Sequence, residues 1–337
     1  MWKRSRSGWI SAVLVLALGM GTAAADELEY VEVDSAVFEG DGREDGFHAN
    51  LGVEASFNLV SNQNVVGQND GTSLLIGGGL NGALDYLRGK HVWRNRLTYN
   101  TSWARTPVLE QFVKNNDLVE LESVYNYHYL DWIGPFGRFN LETSAFETVA
   151  LTQQPRDYLI TRRDGTQLRN ITDELQLAEA WNPLSLFQSV GVAMEPLRQE
   201  WATTTFRVGF GARQTFADGV FVIQNDPTTP VVEVRELENT YQAGAEAFAG
   251  IEGRLPEQRI QYRLGVTALV PFLNNDDTER SPLELTRIGL TGTARMAIFE
   301  WMGLSYSLRI LNDPQLLAEP QFQNSLLLTF NYTLIGE

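Results

Sequence analysis

The chain has 337 residues, 43% of them hydrophobic and 20% charged, with a mean hydropathy of −0.19. That balance excludes a protein of several transmembrane helices, and 17 Phe, 11 Tyr and 8 Trp exclude a disordered chain. With no cysteine there is no disulfide framework, thiolate nucleophile or Cys-based metal site, and three histidines leave little room for a zinc enzyme.

Residues 1–25 read as a secretory signal peptide. Lys3, Arg4 and Arg6 form a positive start, Trp9 to Met20 is a short apolar run, and Ala23-Ala24-Ala25 supplies a small-residue cleavage site. The run is too short to span a bilayer comfortably. Removing this segment takes the net charge from −16 to −19, which disfavours nucleic acid as a partner. Residues 26–45 follow with nine acidic side chains against Arg43 alone. Like charges at irregular spacing specify no ligand cage, so this stretch reads as a solvated N-terminal segment.

From Phe47 the sequence alternates with a period of two. Phe47, Leu51, Val53, Phe57 and Leu59 lie on one face, with His48, Asn50, Glu54, Ser56 and Asn58 on the other. The run is longer than the strands of soluble sandwiches and covers the 9–11 residues a tilted strand needs to cross a bilayer. Similar runs recur at Leu74–Leu87, His91–Arg105, Leu118–Tyr129, Phe136–Glu147, Leu184–Glu195, Trp201–Thr215, Tyr241–Glu252, Arg259–Phe272, Leu283–Ile298, Met302–Leu311 and Gln321–Ile335. The pattern predicts an all-β fold: a twelve-stranded antiparallel up-and-down barrel over residues 46–337. Short links, such as Arg88-Gly89-Lys90, alternate strictly with long ones, such as Thr148–Pro183 and Phe216–Thr240. An outer-membrane barrel keeps that asymmetry, with turns on the periplasmic side and loops outside. Phe47, Tyr86, Trp93, Tyr127, Tyr129 and Tyr332 are expected in one aromatic girdle, and Phe57, Trp103, Phe210, Phe272 and Phe322 in the other. Within the two longest links, Asp164-Gly165 and Asn225–Pro230 are flanked by strand-like runs, which predicts two hairpins extending the wall beyond the membrane.

The segment Gly89-Lys90-His91-Val92-Trp93, continued by Leu121-Glu122-Ser123-Val124-Tyr125-Asn126-Tyr127, resembles an uncharacterised family of outer-membrane β-barrels, in which a G-K-x-x-W turn opens a strand. Gly303-Leu304-Ser305-Tyr306 and Phe330-Asn331-Tyr332 are also similar to the salt-induced outer-membrane barrel family. The resemblance implies a barrel and brings no catalytic residues. Many such barrels end on an aromatic residue, whereas this sequence ends Leu334-Ile335-Gly336-Glu337.

Chemistry on this scaffold is sparse. His48, His91 and His128 all fall near the short-turn end, no G-x-S-x-G motif occurs, and no serine, histidine and acid form an evident triad. The reading is therefore not enzymatic, with no cofactor and no metal. Asn274-Asn275-Asp276-Asp277 and Asn69-Asp70-Gly71 offer oxygens, but without calcium-loop spacing, and such clusters commonly make turns. The informative residues are the charges on the inward face. Glu54, Asp85, Glu120, Glu122 and Glu142 form an expected acidic wall, together with Arg94, Arg96 and Arg138. Arg207, Arg213, Arg259, Arg263, Arg287, Arg295 and Arg309 form an expected basic wall opposite, together with Glu246 and Glu252. Two readings stay open. The charges either line a narrow aqueous channel with a transverse field, or form a salt-bridged plug. The first implies passive passage of a small polar solute; the second implies a non-conducting envelope barrel whose outer loops bind a partner. Outer-membrane lipid and the outer-membrane assembly machinery are implied partners of either, and the implied location is the outer membrane of a Gram-negative-type envelope.

Overall fold

Alternating side chains force each segment to bury one face only, and strands that pair edge to edge satisfy every backbone group by closing on themselves. The computed structural model of this chain describes residues 45–62, 71–107, 109, 111–199, 201–224, 229–255, 259–276, 280–299, 301–315 and 320–335. The expected signal peptide, and the acidic stretch up to residue 44, lie outside the described residues. Among the described residues there are sixteen strands: β1 Gly46–Asn62, β2 Gly71–Arg88, β3 His91–Arg105, β4 Val113–Tyr127, β5 Ile133–Thr143, β6 Thr148–Thr161, β7 Gln167–Ala178, β8 Leu184–Gln199, β9 Ala202–Phe216, β10 Phe221–Ile223, β11 Val232–Glu236, β12 Thr240–Leu255, β13 Ile260–Asn274, β14 Arg287–Phe299, β15 Met302–Asn312 and β16 Gln321–Ile335.

Twelve of them form a closed antiparallel barrel in the order β1-β16-β15-β14-β13-β12-β9-β8-β5-β4-β3-β2. These are the twelve expected strands, with ends shifted by a few residues. β14 begins at Arg287 rather than Leu283. Ser281 and Glu284 close a capping box there: Glu284 Oε2 accepts from the Ser281 N–H and hydroxyl, both at 2.7 Å, and the Leu285 N–H donates to the Ser281 carbonyl. That single turn takes residues 281–286 out of the ladder. β5 ends at Thr143, because the Phe146 backbone is held by β4: its N–H donates to Asp117 and its carbonyl accepts from Lys114.

The expected hairpins β6/β7 and β10/β11 both exist, but they are one unit. β11 pairs parallel to β6, giving a four-stranded sheet in the order β10-β11-β6-β7. Tyr158, Leu175, Leu177 and Val234 form its core, with Phe221, Ile223 and Val232 packed against them. β6 is irregular between Leu151 and Arg156, where the register shifts and residues 152–155 stand against Asp173 alone. The Arg163 guanidinium fastens the hairpin tip to the barrel end, donating to Asp218, to the Ala217 and Leu237 carbonyls, and to Asn239. The sheet is thus a dome whose chain connections all come from β5, β8, β9 and β12.

Candidate functional site: the barrel interior

The register fixes which side chains point inward, and the inward surface differs around the circumference. On β4 and β5, Glu120, Glu122, Val124, Asn126, Phe136, Arg138, Asn140 and Glu142 are all buried. The same holds for Ser185, Phe187 and Ser189 on β8, Thr205, Arg207 and Arg213 on β9, and Gln242, Glu246 and Phe248 on β12. At mid-height Arg207 is 2% exposed. Its guanidinium lies 4.3 Å from the Phe248 ring centroid and 5.5 Å from that of Phe136, so two ring faces offer it their negative quadrupoles. Arg138 sits 5.3 Å from the Phe187 ring and donates to Glu122, while the Asn140 amide donates to Glu120. Between Arg138, Glu142, Phe187, Arg213, Glu246 and Arg287 there remains a cavity of about 30 Å³, room for roughly two waters. This half of the barrel is filled.

The other half is thinly lined. From the short-turn part of β14, through β15, β16, β1 and β2 to β3, the inward Ala297, Arg295, Ser305, Ser307, Ser325, Asn50, Glu54, Ser56, Asn58, Gly77, Gly79, Asn81, Thr98 and Asn100 are partly or fully exposed, interrupted by Leu327 and by buried Arg309, Thr329, Asp85 and Arg94. A Cβ on Gly77 would stand 2.4 Å from Ser56 Oγ, and one on Gly79 would stand 2.6 Å from Asn100 Oδ1. A side chain on Gly77 would also crowd the Thr101 carbonyl oxygen, 2.9 Å from its Cβ. Ser307 and Ser325 meet through their hydroxyls at 2.7 Å.

The predicted walls are present on the inner face with one exception, but they do not face each other as an acid side and a base side. Arg96 pairs with Asp85 and Arg138 with Glu122 inside the expected acidic wall. Arg263 pairs with Glu252 at 2.9 Å, and Arg287 with Asp313 at 3.1 Å, inside the expected basic one. Arg213–Glu142 at 3.9 Å and Arg295–Glu54 at 3.4 Å join the two. A buried charge needs its counter-ion within a few ångströms, and neighbouring strands offer one sooner than the far wall does. Arg309 is buried on β15, in register with Thr291. Arg259 is the exception. It precedes β13 with a left-handed φ of 51°, it is exposed, and its carbonyl accepts from the Ala297 N–H in the rim turn. The alternation that placed it inward stops one residue short of it.

Sequence reasoning missed Asp313, because the alternation ends at Leu311, two residues before it. Glu195 was also missed; it is buried and pairs with Arg198 at 2.7 Å. Phe136, Phe187 and Phe248 did leave a signal, as aromatic residues on the otherwise polar parity. The Asn275 side chain ties a rim turn, accepting from the Tyr241 N–H and donating to the Asn239 carbonyl, while Asp276 pairs with Arg280.

The three histidines are dispersed. His48 lies opposite Asp85 in the β1/β2 register. His91 is exposed, with Nδ1 2.6 Å from the Tyr125 hydroxyl. His128 sits in the turn after β4, where burial, reinforced by Arg198 and Arg94, pulls its pKa down to about 4.

The outer face is apolar. Val190, Val208, Phe210, Leu264, Ile288, Phe322 and Leu326 are exposed at successive points around the circumference. Near the short-turn end stand Phe47, Trp93, Tyr129 and Tyr332, joined by Trp132, Trp201 and Trp301 in three of the turns; Phe57, Phe272 and Phe322 stand nearer the long loops.

A family model described as a protein of unknown function (DUF3078) matches residues 57–148. That stretch contains the G-K-x-x-W turn and the β4 segment on which the family resemblance rests. No curated protein matches the sequence. Among solved structures, the chain is similar to the COG4313 outer membrane channel from Pseudomonas putida F1, with 12% identity, a TM-score of 0.39, and coverage of 90% of this chain and 99% of that one. It is similar also to the beta domain of the Bordetella autotransporter BrkA, with 8% identity, a TM-score of 0.36, and coverage of 86% and 99%. The translocator domain of the autotransporter NalP from Neisseria meningitidis gives 9% identity, a TM-score of 0.35, and coverage of 87% and 90%. None of these likenesses carries a residue or an activity across.

Proposed function

We propose that this protein is an integral outer-membrane barrel, exported by a cleaved signal peptide, with an eccentric polar passage for ions and small polar solutes. The outward belt of exposed apolar side chains between two aromatic zones is the surface that lipid covers, and insertion would fall to the outer-membrane assembly machinery. One observation carries the passage: inward Asn50, Ser56, Asn58, Gly77, Gly79, Asn81 and Ser325 on β1, β2 and β16 are small or polar and partly exposed, while inward Phe136, Arg138, Phe187, Arg207, Glu246 and Phe248 on β5, β8, β9 and β12 are large and buried. A solute would move along one wall past serine, asparagine and glycine, with Arg295 and Glu54 beside its path.

The filled half supports a second reading, a barrel closed to solutes whose dome binds a partner outside. Conductance of the refolded protein in a planar bilayer separates the two. The passage gives small, discrete current steps; a folded barrel with no current leaves the closed reading. The membrane setting has its own test. Val208→Arg, at mid-strand on the outer face of β9, should cost about 2–4 kcal/mol of folding stability in lipid, and an unchanged unfolding midpoint would place that face outside the bilayer.

A further inference from the structure

Beyond conduction, the dome carries an unused strand edge. β6 pairs with one side of β7, and among the described residues no strand pairs with the other side of Gln167–Glu174. An edge strand displays a row of backbone donors and acceptors, and natural proteins blunt such edges with proline, bulges, short length or repelling charge. β7 has twelve residues and no proline. Leu168 and Ile171 are exposed on it, while Leu175, Leu177 and Ala178 anchor its other end in the dome's core. The strand is thus anchored at one end by the sheet's core, and the Thr172 hydroxyl accepts from the Glu174 N–H and donates to its carbonyl at the limit of the free edge.

Its charge order selects the occupant. A two-fold axis between antiparallel strands passes through a residue facing its own copy, because opposed residues share one face of the sheet. With Ile171 on the axis, Arg169 stands opposite Asp173 on both sides, Ile171 meets Ile171, and Asn170 meets Thr172. Moving the axis to Asn170 sets Arg169 against Ile171, and moving it to Thr172 sets Asp173 against Ile171. Only the Ile171 register brings Arg169 and Asp173 together, and opposite charges directly across a strand pair are favourable. Asp157 on β6 already grips the Arg169 guanidinium from within the chain, with Nε at 2.7 Å and 3.0 Å from the two carboxylate oxygens, which orders it on that face.

We propose that β7 is a self-association edge. A second copy of this chain adds its own β7 antiparallel about Ile171, joining two four-stranded sheets into one of eight strands. The native chain has no cysteine, so a single one reports the contact. In the refolded full-length protein, Ile171→Cys should oxidise to a covalent dimer, since opposed Cα atoms at ~4.5–5.5 Å suit a disulfide. Leu168→Cys should give no more than background, because its own copy would lie about 20 Å away along the strand. In the Ile171→Cys background, Arg169→Asp and Asp173→Arg should each abolish the dimer by setting like charges opposite. Mixing those two chains should restore it as a heterodimer, because each then meets its complement. Restoration also shows that neither variant is merely misfolded. Equal cross-linking at positions 168 and 171, or single-charge variants that dimerise as well as the parent, would overturn the proposal. So would a mixture that stays monomeric.

Discussion

Arg207 and Arg295 are both inward-pointing arginines on barrel strands, yet the first is 2% exposed and the second has a side chain 54% exposed. Charge does not set that difference; neighbours do. Around Arg207 the interior holds Phe136 and Phe248, whose rings take the place of water around the cation. Around Arg295 it holds Ser305, Ala297 and Glu54, with Leu327 in the same row on β16, and no ring covers the guanidinium, which stays in contact with solvent. A barrel of this circumference is intermediate between small filled barrels and open porins, and this one is divided along its length into a packed part and a wet part.

The contrast is broken most severely on the packed side. Arg138→Met strands Glu122, itself 2% exposed, and should cost about 3–5 kcal/mol, read as a fall in the urea midpoint of the refolded barrel. Replacing both, Arg138→Met with Glu122→Leu, should recover much of the loss, because an apolar pair of similar volume carries no desolvation penalty.

The next comparison sets Arg287 against Arg295, which the sequence treats as equivalent members of one wall. Arg287→Gln leaves buried Asp313 without its counter-ion and should again cost about 3–5 kcal/mol. Arg295→Gln should change stability by no more than about 1 kcal/mol, while shifting ion selectivity toward cations, since it leaves Glu54 beside the passage. Equal stability losses would mean that the two halves are not different media.

Bulk sharpens the same point. Ser189→Trp, at a position 2% exposed in the packed half, should lower the folded fraction, because overpacking typically costs about 1–3 kcal/mol or more. Ser307→Trp should fold normally and cut the conductance.

The last effect, confined to acidic pH, belongs to the short-turn rim. Folding keeps His128 neutral, with its pKa at about 4 instead of the ordinary 6.5. Between those values the unfolded chain binds a proton that the folded one does not, so stability falls as pH drops from about 6.5 toward 4. His128→Gln should flatten that slope in midpoint-against-pH measurements.

Much of this architecture is legible in the sequence, because a period of two and a short/long link rhythm are local signals. β3 and β16 begin and end where the alternation does. The dome hairpins show themselves through Asp164-Gly165 and the flanking β-branched residues. What stays hidden is long-range. The parallel pairing of β11 with β6 joins segments more than seventy residues apart and leaves no periodic trace. The partners of the inward charges are hidden for the same reason. Parity says that Glu142 and Arg213 point inward, but only the strand order β5-β8-β9 brings them within 4 Å. The packed and wet halves could have been suspected from inward Phe against inward Gly and Ser, a distinction of size that a hydrophobic/polar pattern discards.

The thinly lined half is also where the chain's two ends meet. β1 and β16 are joined over the stretch from Leu51↔Ile335 to Phe57↔Leu328, with a register shift after Leu51, whereas β1 and β2 are zipped along the full length of β1. That seam links residues nearly 300 positions apart, so its loop-closure entropy is the largest of any strand pair in the barrel. The filled half, β4 to β12 with the dome, is contiguous in sequence and carries most of the interlocking side chains. Loop closure therefore weighs less on every pairing inside that block than on the seam. At that joint inward Glu54 and Ser56 stand in register with Asn331 and Thr329, with no aromatic ring among the four.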